Sequence, residues 1–193
     1  MSEPVSPLNG AAYDGFVSVR ETGSCGMITL RGDLSDPVVQ GVVKTLTGVD
    51  IPAMGKITIG KTGCAWMSPD ELLLLLPRAD VSAALGEIAQ AMRETHHLAA
   101  DVSDARALFN ITGAGVRDVL TKLTPADVSP VALPVGTMRR TRLAQVPAAI
   151  WIDDETTANV ICFRSVARYM FDLLCTSAKP GGAPGLFAQG SEQ

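Results

Sequence analysis

A chain of 193 residues with 47% hydrophobic and 19% charged residues can bury a sizeable core, as one domain or two small fused halves. A formal net charge of −4 excludes broad electrostatic recognition of nucleic acid or of an anionic membrane. The first residues form neither the basic nor the apolar part of a signal peptide, and the longest apolar run, 72–77, is far too short to cross a bilayer. Cys25, Cys64, Cys162 and Cys175 lack C-x-x-C spacing, so they read as reduced thiols of a cytoplasmic protein.

Residues 1–24 contain Pro4, Pro7, Gly10, Gly15 and Gly23 without a sustained period, which predicts a loosely ordered N-terminal arm. Residues 26–31 then alternate, with Ile28 and Leu30 inward, and end at Gly32. Ser35 and Asp36 before Pro37 predict a helix start, and Val38, Val39, Val42, Val43 and Leu46 supply its apolar stripe. Three short strands follow at 56–59, 64–67 and 72–76, separated by Gly60-Lys61-Thr62-Gly63 and Ser68-Pro69-Asp70. The third is apolar throughout and predicts a central strand covered on both faces. Asp80 is placed to cap a helix whose stripe is Val81, Ala84, Leu85, Ile88 and Met92.

After residues 98–102 the same order runs again. Residues 105–112 alternate, with Ala107, Phe109 and Ile111 on one face and Arg106, Leu108 and Asn110 on the other. Gly113 and Gly115 make a turn into a helix with stripe Val116, Val119, Leu120 and Leu123, and with Asp118 and Lys122 paired on its wet side. Gly32 to Gly113 and Gly55 to Gly136 keep one spacing, and Val39, Val42 and Leu46 answer Val116, Val119 and Leu123. Trp66 answers Trp151 on this reading, and Arg78 and Ala84 answer Arg164 and Met170. Such an ordered set of matches indicates an internal repeat. The expected fold is α+β, with duplicated β-α-β-β-β-α halves at 25–97 and 98–177, followed by a flexible tail at 178–193.

The catalytic inventory is thin. His96 and His97 are adjacent and diverge, so they do not share a metal. Gly113-Ala114-Gly115 lacks the third glycine of a phosphate loop, and no G-x-S-x-G elbow is present. Asp101, Asp104, Asp153, Asp154 and Glu155 flank turns, where aspartate is ordinary. Arg139, Arg140 and Arg142 share one predicted strand, and Arg140 and Arg142 one face of it, which makes this the candidate anion or partner contact. No catalytic, cofactor-binding or metal residue is expected.

The runs AWMSPDELLLLLP (65–77), DVSDARALFNITGAGVRDVLTKLTPADVSP (101–130), TRLAQVPAAIWI (141–152) and FRSVARYMFDLL (163–174) resemble the gamma subunit family of heterotetrameric sarcosine oxidase. In that family the segment after the first helix of the second repeat often begins Gly-Cys; Leu123-Thr124-Pro125 stands here, so no role for that cysteine carries over. The resemblance implies the duplicated fold of the tetrahydrofolate-binding aminomethyltransferases. It also implies a complex that oxidises sarcosine to glycine, passes the one-carbon unit to tetrahydrofolate and releases hydrogen peroxide. FAD, FMN, NAD, tetrahydrofolate and zinc would be carried by its alpha, beta and delta subunits, and gamma would be non-catalytic. The competing reading is a free-standing folate-binding or aminomethyltransferase-like protein.

Overall fold

The computed structural model describes residues 5–60 and 62–187. Lys61 of the predicted turn, residues 1–4 of the arm and residues 188–193 of the tail lie outside the described residues. The chain forms two compact units, Ser24–Ala105 and the combination of Met1–Gly23 with Arg106–Gln193. It opens with β1 (Ala12–Asp14) and β2 (Ser18–Glu21), which belong to the second unit.

The first unit runs β3 (Gly26–Arg31), α1 (Pro37–Thr47), β4 (Ile57–Ile59), β5 (Gly63–Ser68), β6 (Glu71–Leu76), α2 (Val81–Ala91) and β7 (Leu98–Asp101). Its antiparallel sheet has the order β4-β5-β6-β3-β7. The strand β6, a run of five leucines after Glu71, is central, as its composition predicts, and Leu72, Leu73 and Leu74 are wholly buried. Leu72, Leu74 and Leu76 pack with Val39, Val43 and Ile88 from the two helices. The helix start is also as read: the Asp36 carboxylate accepts the Val38 amide hydrogen bond at 2.8 Å, one step before Pro37 fixes the first turn. Asp80, by contrast, makes no side-chain cap; a short 3-10 turn over Arg78–Asp80 leads into α2 instead.

The second unit runs β8 (Arg106–Thr112), α3 (Val116–Thr121), β9 (Met138–Leu143), β10 (Val146–Asp154), β11 (Thr157–Phe163) and α4 (Ala167–Ser177). Its sheet order is β1-β2-β8-β11-β10-β9. The alternation over 106–112 holds residue by residue: Ala107, Phe109 and Ile111 are buried and enter the core with Val119, Leu120, Met170 and Leu174.

Strand registers bear out the repeat and correct one pairing in it. Leu30 pairs with Leu72 and Ile111 with Ala158, so the match of Leu30 to Ile111 carries Leu72 onto Ala158. Gly55 and Gly136 both sit at φ +71°, a left-handed conformation that glycine adopts without penalty. The tryptophans, however, are not equivalent. β5 has a register shift between Trp66 and Ser68, and β10 has the same shift between Ile152 and Asp154. Trp66 therefore corresponds to Ile152, and Trp151 to Ala65. A slip of one residue turns a side chain to the opposite face of the sheet, so the two indoles point opposite ways.

Two boundaries also differ from those expected. Residues 98–101 do not open the second half; they pair with β3 and close the edge of the first sheet. Residues 12–21 are not a loose arm, because β2 lies between β1 and β8 in the second sheet, beside β8 as β7 lies beside β3, and Val17 and Val19 are buried there. Each repeat thus begins with a strand that it contributes to the other unit's sheet. Four residues between turns are too few for periodicity to register, and which edge a strand joins is a long-range choice. Glu21 ends β2 and is buried, and its carboxylate accepts hydrogen bonds from Ser6 Oγ (2.8 Å), Leu8 N (3.0 Å) and Gly10 N (2.7 Å). Glu21→Ala leaves two amides without their acceptor, so a loss of about 2 kcal/mol in urea unfolding is expected. Faster amide exchange at Leu8 and Gly10 would accompany it.

Candidate functional site

β9 is the edge strand of its sheet, and it carries Arg139, Arg140 and Arg142, all exposed. Arg140 and Arg142 point to one face, opposite Leu143, which enters the core. Arg139 is on the other face and donates to the Ala132 carbonyl at 2.9 Å. The shared face read from the sequence is therefore present, on a solvent-facing edge. Charged side chains on such an edge also discourage pairing with a stray strand.

The acidic residues do not converge on one site. Asp101 accepts from Arg78 at 2.8 Å and from Ser103, and Arg78 also reaches Asp104 at 2.8 Å. Partial burial works to raise the Asp101 pKa, but the Ser103 hydrogen bonds and then Arg78 outweigh it and hold the carboxyl below its ordinary range. Asp154 is held low by the Thr156 amide, the Thr156 hydroxyl and Thr157. Carboxylates stabilised in this way are weak bases, which suits turn formation and not proton abstraction.

Asp153 sits differently. Its two oxygens accept Trp151 Nε1 at 2.9 Å and Asn159 Nδ2 at 2.7 Å, and Asn110 Nδ2 donates to Asn159 Oδ1 at 3.0 Å. This network lies on the sheet face away from α3 and α4, and buried Trp151 and Asn159 are held in it. Sequence reasoning missed it; the one signal was the polar residue Asn159 inside the apolar strand TANVICF. Chemically it fixes an indole and two amides, with both carboxylate oxygens committed to neutral donors.

The glycine turn at 113–115 leads into α3, which is only six residues long. The Phe16 ring occupies the space over Gly115, where an added Cβ would lie 2.6 Å from Phe16 Cε2. The turn is thus packed by an aromatic ring and does not cradle a phosphate. The expected surface pair on this helix is also absent. Asp118 is buried and accepts the amides of Gly185 and Leu186, each at 3.1 Å. Lys122 donates to the Ser177 carbonyl at 2.7 Å and stands 5.0 Å over the Phe16 ring. Arg117, the residue between stripe positions, is buried as well and donates to the carbonyls of Val128 and Leu133. The tail segment is accordingly anchored as far as Phe187, which packs on the core.

Among the described residues, no group of three or more His, Cys, Asp and Glu side chains is placed to hold a metal ion. His96 is exposed and His97 Nδ1 lies 2.8 Å from the Thr95 carbonyl. The glycine turn itself is filled by Phe16, which leaves no room for a phosphate over Gly115.

The fold is a duplicated α+β fold of the kind seen in aminomethyltransferases. The aminomethyltransferase T of the glycine cleavage system from Bartonella henselae superposes with a TM-score of 0.62 at 12% identity. That match covers 83% of this chain and 45% of the aminomethyltransferase and shows fold alone. A chain of the heterotetrameric sarcosine oxidase from Corynebacterium sp. U-96, solved with pyrrole 2-carboxylate, superposes with a TM-score of 0.79 at 24% identity, covering 90% and 93% of the two chains. The gamma subunit of sarcosine oxidase from an Arthrobacter species is 31% identical over 173 residues, 86% of this chain and 84% of that one. The sarcosine oxidase gamma subunit family matches over residues 31–179, and the chain belongs to it. No helix among the described residues is long and apolar enough to cross a membrane.

Two outcomes follow from the ionisable groups. Asp101→Asn is expected to lose about 1 kcal/mol at pH 7, allowing for solvent screening. Because the folded carboxyl titrates below its ordinary 3.8, its contribution is present above that pH and lost as pH falls through the folded value. The gap to wild type should therefore close in acid, as read by unfolding at a series of pH values. Burial pushes Cys64 and Cys162 up to about 12, and burial with Asp172 nearby pushes Cys175 up to about 11. At pH 8 a thiol reagent should leave Cys64 and Cys162 unmodified until urea unfolds the chain, as checked by peptide mass.

Proposed function

We propose that the chain acts as the non-catalytic gamma subunit of a cytoplasmic heterotetrameric sarcosine oxidase. The complex would convert sarcosine to glycine, pass the one-carbon unit to tetrahydrofolate and release hydrogen peroxide. Its alpha, beta and delta subunits would hold FAD, FMN, NAD, tetrahydrofolate and zinc. The observation that carries this is the near full-length likeness to the Arthrobacter gamma subunit, 31% identical over 86% of this chain. The role that the chain's own residues support is assembly: the Arg140 and Arg142 face of the β9 edge offers paired cations to an acidic patch of a partner.

A free-standing folate-binding protein is the second reading, favoured by the fold shared with the aminomethyltransferase. Co-expression of the chain with the other subunits, followed by pull-down on a tagged large subunit, separates the two. The expected outcome is stoichiometric retention and sarcosine turnover by the assembly. Retention should weaken by about tenfold for the double variant Arg140→Glu with Arg142→Glu. Full turnover by an assembly that never retains this chain would refute the proposal. Sarcosine turnover or a folate adduct formed by the purified chain alone would establish the second reading instead.

A further inference from the structure

The internal repeat lets one unit report on the other, because equivalent surfaces should be covered by equivalent things. Val39 and Val42 of α1 correspond to Val116 and Val119 of α3, and the 3-10 turns before α2 and α4 also correspond. On this alignment Val38, Gly41, Thr45 and Ala91 of the first unit take the places of Gly115, Asp118, Lys122 and Ser177 of the second. In the second unit three of those positions, Gly115, Asp118 and Lys122, meet the chain's own terminal segments, and the fourth, Ser177, is bonded to Lys122. The Phe16 ring rests on Gly115 and under Lys122. Asp118 holds the amides of Gly185 and Leu186, and the Ser177 carbonyl takes Lys122. The surface over α3 is thus covered by an aromatic side chain and by the backbone of Gly185 and Leu186.

In the first unit the same positions line an open groove. One lobe, of about 320 Å3, is bounded by Val38, Gly41, Val42, Thr45, Glu87 and Ala91. A second, of about 310 Å3, shares Thr45, Leu46 and Glu87 and adds Asp80. Val38 stands 41% exposed beside it. A Cβ built on Gly41 meets nothing within 4 Å. The charged residues lining both lobes, Glu87 and Asp80, are acidic. Where the second unit carries the cation Lys122 at the end of its own helix, the first carries Thr45, so here the cation must arrive with the occupant.

We infer that the groove between α1 and α2 is the docking site for a segment of another subunit of the oxidase, one that inserts an aromatic or leucine side chain beside an arginine or lysine. This rests on the subunit role proposed above and adds where, and by what chemistry, a partner is held. The chain's own undescribed ends do not have that chemistry. Residues 188–193, AQGSEQ, contain no aromatic, leucine or basic side chain, and residues 1–4, MSEP, contain no basic side chain either. A second copy of this chain, with net charge −4, is a poor electrostatic match for an acidic groove.

The test is made in the assembled oxidase, with the affinity tag on a partner subunit. Gly41→Leu fills the first lobe and, at an exposed helix position, raises helix propensity, so folding is retained. Glu87→Lys reverses the groove's charge. Gly86→Leu, on α2 but outside either lobe and equally unobstructed, is the control. Gly41→Leu and Glu87→Lys should each lower retention of the chain by about tenfold or more, as expected for a central anchor. Gly86→Leu should be retained as wild type is, with all variants melting no lower than wild type except for small shifts. A benzoylphenylalanine in place of Val38 should crosslink to a partner peptide that combines apolar and basic residues. Undiminished retention of Gly41→Leu, or a crosslink to a second copy of this chain, overturns the inference and leaves the subunit role standing. Failure of the wild-type chain itself to be retained overturns both.

Discussion

The pairing of β2 with β8 is the contact on which the second unit depends. β8 is flanked by β11 on one side and β2 on the other, and without β2 its amides and carbonyls from Asn110 to Thr112 would have no partners on that side. The same four residues bring Val19 into the core and place Glu21 where it gathers the backbone of residues 6–10. Phe16, just before β2, is thereby set over the Gly113–Gly115 turn. In the first unit β7 performs the matching service for β3, and Asp101 at its end takes the position that Glu21 has in β2. Each of the two carboxylates organises the segment nearest to it, one through backbone amides and the other through Ser103 and Arg78.

Local patterns were strong wherever one face of an element is buried. The 106–112 alternation, the Asp36-Pro37 start and the leucine-rich strand β6 follow from side-chain period, capping and composition. What stayed hidden was decided at long range. Nothing in residues 18–21 or 98–101 says which strand they pair with, because that partner is set by the row of hydrogen bonds they complete. The one-residue error between the tryptophans has the same origin. The bulges after Trp66 and Ile152 set the register, and matching by residue type alone passes over them.

Site residues were legible in proportion to how local they are. The Arg140 and Arg142 pairing on one face needs only strand alternation. Asp118 and Lys122 were expected as a surface pair at helical spacing, but α3 ends at Thr121 and the tail covers it, so each side chain serves a segment more than fifty residues away. The cluster joins Trp151 and Asp153 to Asn159 across the β10–β11 hairpin, and Asn110 joins it from β8. That assembly is a product of register, which composition does not record.

The strand exchange also fixes an order of events during synthesis. When β2 leaves the ribosome its partner β8 has not been made, and the whole of Ser24–Ala105 must be translated first. At ordinary elongation speeds that interval is on the order of ten seconds. The first unit has all its strands in hand at Asp101, whereas the opening segment waits, with Val17 and Val19 uncovered, until Arg106–Thr112 arrives. The nascent chain therefore presents the β1–β2 hairpin with the β8 side of β2 open while its first unit is already complete.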